Sequence, residues 1–196
     1  MQAMRNHLRG VLIALALVLC GTGSLASAQS KPIGKASLEA AAPLLDQLKA
    51  CSNEAMARAL EAQVWNAWSG SGDQVIDDLM QRAASLTQAA AYDEALAVLD
   101  TVVAKAPQFA EGWNKRATLL YAMNDYERSL ADINKVLALE PRHFGALAGI
   151  GLIRSARGDK AGAVAAYKRV LEIDPMNSGA KASIEALAKE LQGDPV

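Results

Sequence analysis

The sequence predicts an all-α chain built from stacked helical hairpins, and three observations carry that prediction. Ala and Leu are abundant while aromatic residues make up only 5% of the 196 positions, a composition that favours helices over strands. Pro107, Pro141 and Pro175 recur every 34 residues. The residues between them repeat with the same period, as expected of an array whose units bury their apolar faces against one another.

Residues 1–28 read as a cleaved export signal and are set aside from the fold. Arg5, His7 and Arg9 form a positive start, Val11 to Cys20 is an apolar run, and Ala26-Ser27-Ala28 offers the small residues a signal peptidase reads. The run is about ten residues long, against the ~20 that span a bilayer, so a retained membrane anchor is the lesser alternative. Leu19 is too large for the residue before a lipidated Cys20. Cleavage is expected after Ala28, leaving a periplasmic chain that starts at Gln29 and has no stable membrane insertion. Its loss of Arg5 and Arg9 takes the net charge from −1 to −3, a balance with no visible preference for nucleic acid or anionic lipid. Cys51 is then the one thiol, so helix packing rather than disulfides must stabilise the chain.

Residues 29–36, small and polar around Pro32 and Gly34, are expected to form a flexible leader. Residues 37–75 hold a degenerate hairpin. Leu38, Leu44, Leu45 and Leu48 make one helical stripe; Met56, Leu60, Val64 and Trp68 make another. Ser52 or Asn53 can cap the second helix. Shifted by 34, Leu45 aligns with Leu79, Trp65 with Leu99 and Trp68 with Val102, but Lys49 and Glu61 fall where a repeat needs small residues. The expectation is a hairpin that stacks like a repeat but opens wider, joined flexibly at Gly70-Ser71-Gly72.

Three full units follow, 76–109, 110–143 and 144–177. Leu79, Trp113 and Leu147 occupy one equivalent site; Ala83, Ala117 and Gly151 a second; Ala95, Ser129 and Ala163 a third; Val102, Val136 and Val170 a fourth. The small residues let paired helices approach closely. Asn124-Asp125 and Gly158-Asp159 suit a helix end followed by an N-cap. Each proline removes an amide donor and biases the residue before it away from helix, which ends the second helix. After Pro175, residues 178–196 supply a capping helix, with Ser178 as its N-cap, an apolar face of Ile184, Leu187 and Leu191, and a charged ladder of Lys181, Glu185 and Lys189.

This pattern over residues 76–177 resembles the tetratricopeptide repeat, and the chain is similar to small exported alphaproteobacterial members of that family. The resemblance implies a right-handed superhelix of antiparallel hairpins, no enzymatic activity, no cofactor, and a protein or peptide partner held in the concave groove. Some members grip a terminal carboxylate with a lysine–asparagine–arginine clamp; here Gly145, Ala148 and Gly149 stand at clamp sites, so that mode is not matched. Arg82, Arg116 and Arg154 depart from the family pattern.

The inventory of chemical groups agrees with a binding role. The chain after residue 28 keeps one histidine, His143, which by itself cannot make a multi-histidine metal site. No phosphate-binding glycine loop with its lysine is present. The expected groove takes Met80, Ala84 and Thr87 from the first unit, and Asn114, Lys115, Thr118 and Tyr121 from the second. Ala148, Leu152, Arg154 and Ser155 complete it from the third. Asn114, Lys115 and Thr118 would bond a peptide backbone, Tyr121 and Leu152 would supply apolar contact, and Arg154 would meet a ligand carboxylate. The function so read is a scaffold or adaptor in cell-envelope assembly or integrity; the alternative is an accessory subunit docking by its convex face or its N-terminal hairpin.

Overall fold

The computed structural model describes residues 32–193, and those residues contain nine α-helices and no strand. The helices are α1 (Lys35–Ala50), α2 (Glu54–Ser69), α3 (Gln74–Gln88), α4 (Tyr92–Lys105), α5 (Ala110–Ala122), α6 (Tyr126–Leu139), α7 (Phe144–Ala156), α8 (Lys160–Ile173) and α9 (Ser178–Gln192). The expected export signal, residues 1–28, lies outside the described residues.

The helices α3 to α8 form three hairpins stacked in chain order, each packed on the next, with α9 closing the array against α8. Their turns repeat as faithfully as their side chains. Within each hairpin the first helix ends on a residue in the left-handed region: Ala90 (φ 55°), Asn124 (φ 61°) and Gly158 (φ 78°). The amide one residue further on donates back to the last turn, from Ala91 to Leu86, Asp125 to Leu120 and Asp159 to Arg154, each at 2.9 Å. These bonds satisfy carbonyls that a helix end otherwise leaves open. Asp125 and Asp159 then cap the second helices through the Arg128 and Gly162 amides. At the helix crossings, Ala95, Ser129 and Ala163 are fully buried, and the Ser129 hydroxyl donates to the Ala117 carbonyl across the hairpin at 2.7 Å.

Turns between hairpins follow a second common pattern. Phe109, His143 and Asn177 donate their amides to the carbonyls of Ala106, Glu140 and Asp174 at 3.0–3.1 Å. His143 and Asn177 also cap the next helix, through Nδ1 and Oδ1 to the amides of Ala146 and Ala180. The cap of α9 is therefore Asn177 and not Ser178, which is the first helical residue. A carboxamide one position earlier already satisfies the free amide that Ser178 was expected to take.

The N-terminal hairpin departs from expectation. It does not stack in front of α3. Instead α1 packs on α8, and α2 lies on α5, so the hairpin spans the three inter-repeat turns. At the first turn, Gly34 presses against the Phe109 backbone, closer than any Cβ would allow. At the second, Arg142 pairs with Asp46 at 2.8 Å and the Trp68 indole stacks on the His143 ring, centroids 4.0 Å apart and planes 9° from parallel. At the third, Glu61 reaches Asn177. Trp65 sets its edge against Phe144 and over Gly145, where a Cβ would come within 2.5 Å of the ring.

This seat leaves Lys49 exposed and turns Glu61 to the third turn. Ala41 and Ala57, both fully buried, supply small residues at other heights. Leu45, Leu48, Val64 and Trp68 then share one core with Phe144, Leu147, Tyr167 and Val170. The leader and joint are also ordered where described: the Gly34 amide donates to the Ser71 carbonyl at 2.8 Å. Ser71 is buried and its own amide donates to Asp77. Asn53 caps α2 as one of the two expected residues.

Because Trp68 is wholly buried at this junction, Trp68→Ala should cost about 3–5 kcal/mol in urea unfolding. Met56→Ala on the exposed face of the same helix should stay within about 0.5 kcal/mol.

Candidate peptide-binding groove

The first helices of the repeats, α3, α5 and α7, line two clefts. The larger, about 730 Å³, lies between α2, α3 and α5. Met80, Ala84 and Thr87 line it from α3, Lys115 and Thr118 from α5, and Trp65 from α2. The smaller, about 100 Å³, lies between α5 and α7, with Asn114, Thr118 and Tyr121 facing Ala148, Gly149 and Leu152. Thr118 borders both. Nine of the eleven expected groove residues therefore line one cleft or the other.

Arg154 and Ser155 line neither. The Arg154 guanidinium lies 3.7 Å from Asp159 at the α7–α8 turn, so it completes the hairpin's own charge pairing rather than reaching into the groove. Ser155 is exposed at the end of α7, where its carbonyl accepts the Gly158 amide. Asn114 lines the smaller cleft, but it is buried and its amide donates to Glu111 at 2.9 Å. One of its side-chain N–H groups is thus engaged within the protein. The hydroxyls of Thr87 and Thr118 likewise donate to the Ala83 and Asn114 carbonyls of their own helices.

Glu111 is the electrostatic centre of this region. It is 2% exposed and accepts from Lys115 at 3.0 Å, with His143 Nε2 3.4 Å away. Burial would raise its carboxyl, but His143 and Lys115 outweigh that and hold it below the usual carboxylate range. Since His143 Nδ1 accepts the Ala146 amide, the neutral ring carries its proton on Nε2, facing Glu111. This assigns His143 a structural role, as cap, stacking platform and partner of a buried carboxylate. Cys51 is partly buried, and its Sγ donates to the Asn53 carbonyl in the α1–α2 turn.

Arg116 is structural too. It donates two hydrogen bonds to Asp132, each at 2.7 Å, pairs with Asp100 at 2.8 Å, and lies over the Trp113 ring. Bidentate carboxylate binding of this kind suits arginine's planar fork. Trp113 packs between hairpins, its indole N–H donating to the Pro107 carbonyl.

Among the residues of the larger cleft that sequence reasoning missed are Glu111 and Trp65. Glu111 stands four residues before Lys115, a spacing that signals an ion pair on a helix. Trp65 carries no such signal, because its place in the wall follows from the unexpected seat of the hairpin. Among the described residues no cluster of three or more His, Cys, Asp or Glu could hold a metal ion. No described helix is long and apolar enough to cross a membrane.

Stacked hairpins with a cleft along their first helices define a protein-interaction array. Residues 110–143 and 144–177 each match the tetratricopeptide repeat model. A TPR repeat-containing protein of Rhizobium etli is 35% identical over 80 residues, 41% of this chain, which spans 39% of that relative's length. Among solved structures, the second TPR domain of human RPAP3 in complex with HSP70 peptide SGPTIEEVD shares 21% identity. It has a TM-score of 0.53 over 57% of this chain and 92% of that one. The Yersinia enterocolitica type III secretion chaperone SycD, in complex with a peptide of the translocator YopD, shares 12% identity, with a TM-score of 0.56 over 62% and 97%. At these identities the structural likeness speaks for the fold alone. Residues 110–177 thus carry two tetratricopeptide repeats, and the hairpin at residues 76–109 joins them by its geometry.

The hairpin's contact with the third turn is sensitive to pH. Burial, with Asp174 hydrogen-bonded and opposed to it, pushes the Glu61 carboxyl up from 4.5 to about 7. The folded state thus favours the protonated acid. Its contribution to stability is full below pH 4.5 and is lost as pH rises through about 7. Thermal melts of the native chain and Glu61→Gln across that window should show the native chain losing stability relative to the variant as pH rises.

Proposed function

We propose that this chain is a non-catalytic scaffold that holds a segment of a partner protein against α3, α5 and α7, acting in the cell envelope after export. The observation that carries this reading is the pair of clefts meeting at Thr118. A concave, mostly apolar surface with a few polar groups at its edge is the form that binding sites commonly take. The peptide complexes of the human and Yersinia proteins support it, since each presents a peptide on the same kind of hairpin array. The positive start, short apolar run and Ala26-Ser27-Ala28 site support export with cleavage after Ala28.

Photo-crosslinking in cells from a reactive residue at position 118 identifies the partner. Thr118→Arg, which places a long charged side chain between the clefts, should abolish capture while leaving helicity unchanged. Thr101→Arg, on the exposed side of α4, should leave capture intact. The opposite pattern would move the docking site to the outer face and end the groove reading.

Export has its own measurement. The intact mass of the protein recovered from the periplasmic fraction should correspond to a chain starting at Gln29. A cytoplasmic chain that retains Met1 would refute it.

A further inference from the structure

The larger cleft owes its shape to the seat of the N-terminal hairpin. Because α2 lies on α5 rather than on α3, Ala84 on α3 stays exposed, and a space of about 730 Å³ opens beneath Trp65. That volume falls within the roughly 300–1,000 Å³ of preformed ligand pockets. Its apolar wall includes Met80, Ala83, Ala84, Leu99, Leu119 and Ala122.

The charge of the wall narrows the occupant. Its two ionic side chains, Glu111 and Lys115, are paired with each other at 3.0 Å, and Asn114 and His143 also face Glu111. A ligand carboxylate would meet the Glu111 carboxylate in a poorly solvated space; a ligand cation would compete with Lys115 for it. Neither sign is favoured. Thr87 and Thr118 have already given their hydroxyl protons to helix carbonyls. By contrast the side-chain amides of Asn66, Gln81 and Gln88, which also line the cleft, have no protein partner among the described residues. Such neutral groups can bond the main chain of an occupant.

We infer that this cleft, built jointly by the hairpin and the first two repeats, is an anchor pocket for large uncharged apolar side chains of a partner segment, and not a clamp for an acidic terminus. The inference rests on the scaffold reading above and specifies the chemistry of its ligand. Trp65 acts as the lid-side wall, and Ala84 opposite it leaves the space into which the anchors fit.

Two synthetic peptides test it against the full-length chain, with Trp fluorescence and calorimetry as readouts. One is an uncharged Ser/Thr/Gly peptide carrying leucine and phenylalanine anchors; the other is SGPTIEEVD. The apolar peptide should bind at least about tenfold more tightly, the factor that separates affinities by about 1.4 kcal/mol. Ala84→Leu, filling the pocket from an exposed position, should weaken that binding about tenfold or more. Thr101→Leu, on the exposed side of α4, should leave it within about twofold, well inside the factor of ten that marks about 1.4 kcal/mol. Failure of the apolar peptide to bind, a preference for the acidic peptide, or indifference to Ala84→Leu would each overturn the inference. In cells, partner capture lost with Thr118→Arg but kept with Ala84→Leu overturns the anchor pocket alone. Capture kept with both overturns the groove itself.

Discussion

The contact between Trp68 and His143 is the constraint on which much of the structure depends. An indole lying flat on an imidazole at 4.0 Å fixes α2 over the second inter-repeat turn. From there the hairpin reaches the first turn through Gly34 and the third through Glu61. Stacking adds to the large apolar area such rings bury. The hairpin also ties together turns that would otherwise be linked only by neighbour-to-neighbour packing, the usual condition of a repeat array.

That contact has an electrostatic consequence. Once α2 covers the starts of α5 and α7, Glu111 and His143 are both buried. A buried carboxylate is tolerable only when donors replace the lost water. Lys115 and Asn114 take that role at Glu111, and His143 Nε2 lies 3.4 Å from it. The neutrality of the larger cleft therefore arises from the way the hairpin is seated. Lys115 and Glu111 neutralise each other there, and the cleft wall is left to apolar contact and the neutral amides of Asn66, Gln81 and Gln88.

The repeat itself was legible because its determinants are local and recur. Proline at 107, 141 and 175 ends a helix whatever surrounds it. Small residues at 95, 129 and 163 are required wherever two helices cross closely. Asp125 and Asp159 cap helices through bonds only three residues long. The groove residues from Met80 to Leu152 followed from that register, since a helix face is set by its period. Arg154 did not, because a long side chain can turn toward any nearby carboxylate, and Asp159 lay within reach. Ser178 failed for a similar reason: Asn177, one residue earlier, took the cap first.

Sequence alone thus determined the hairpin, its 34-residue period, its turns and the helices that line the groove, because each depends on interactions within a few residues or between identical neighbours. The seat of the N-terminal hairpin was decided by tertiary structure. Residues 37–69 have the apolar stripes of a helical pair, and stripes show which face is buried without showing against what. Asp46 and Arg142 are 96 residues apart, and Glu61 and Asn177 are 116 apart. Such contacts form only when the folded array brings the three turns into line. The larger cleft is the space left where that line carries α2 away from α3.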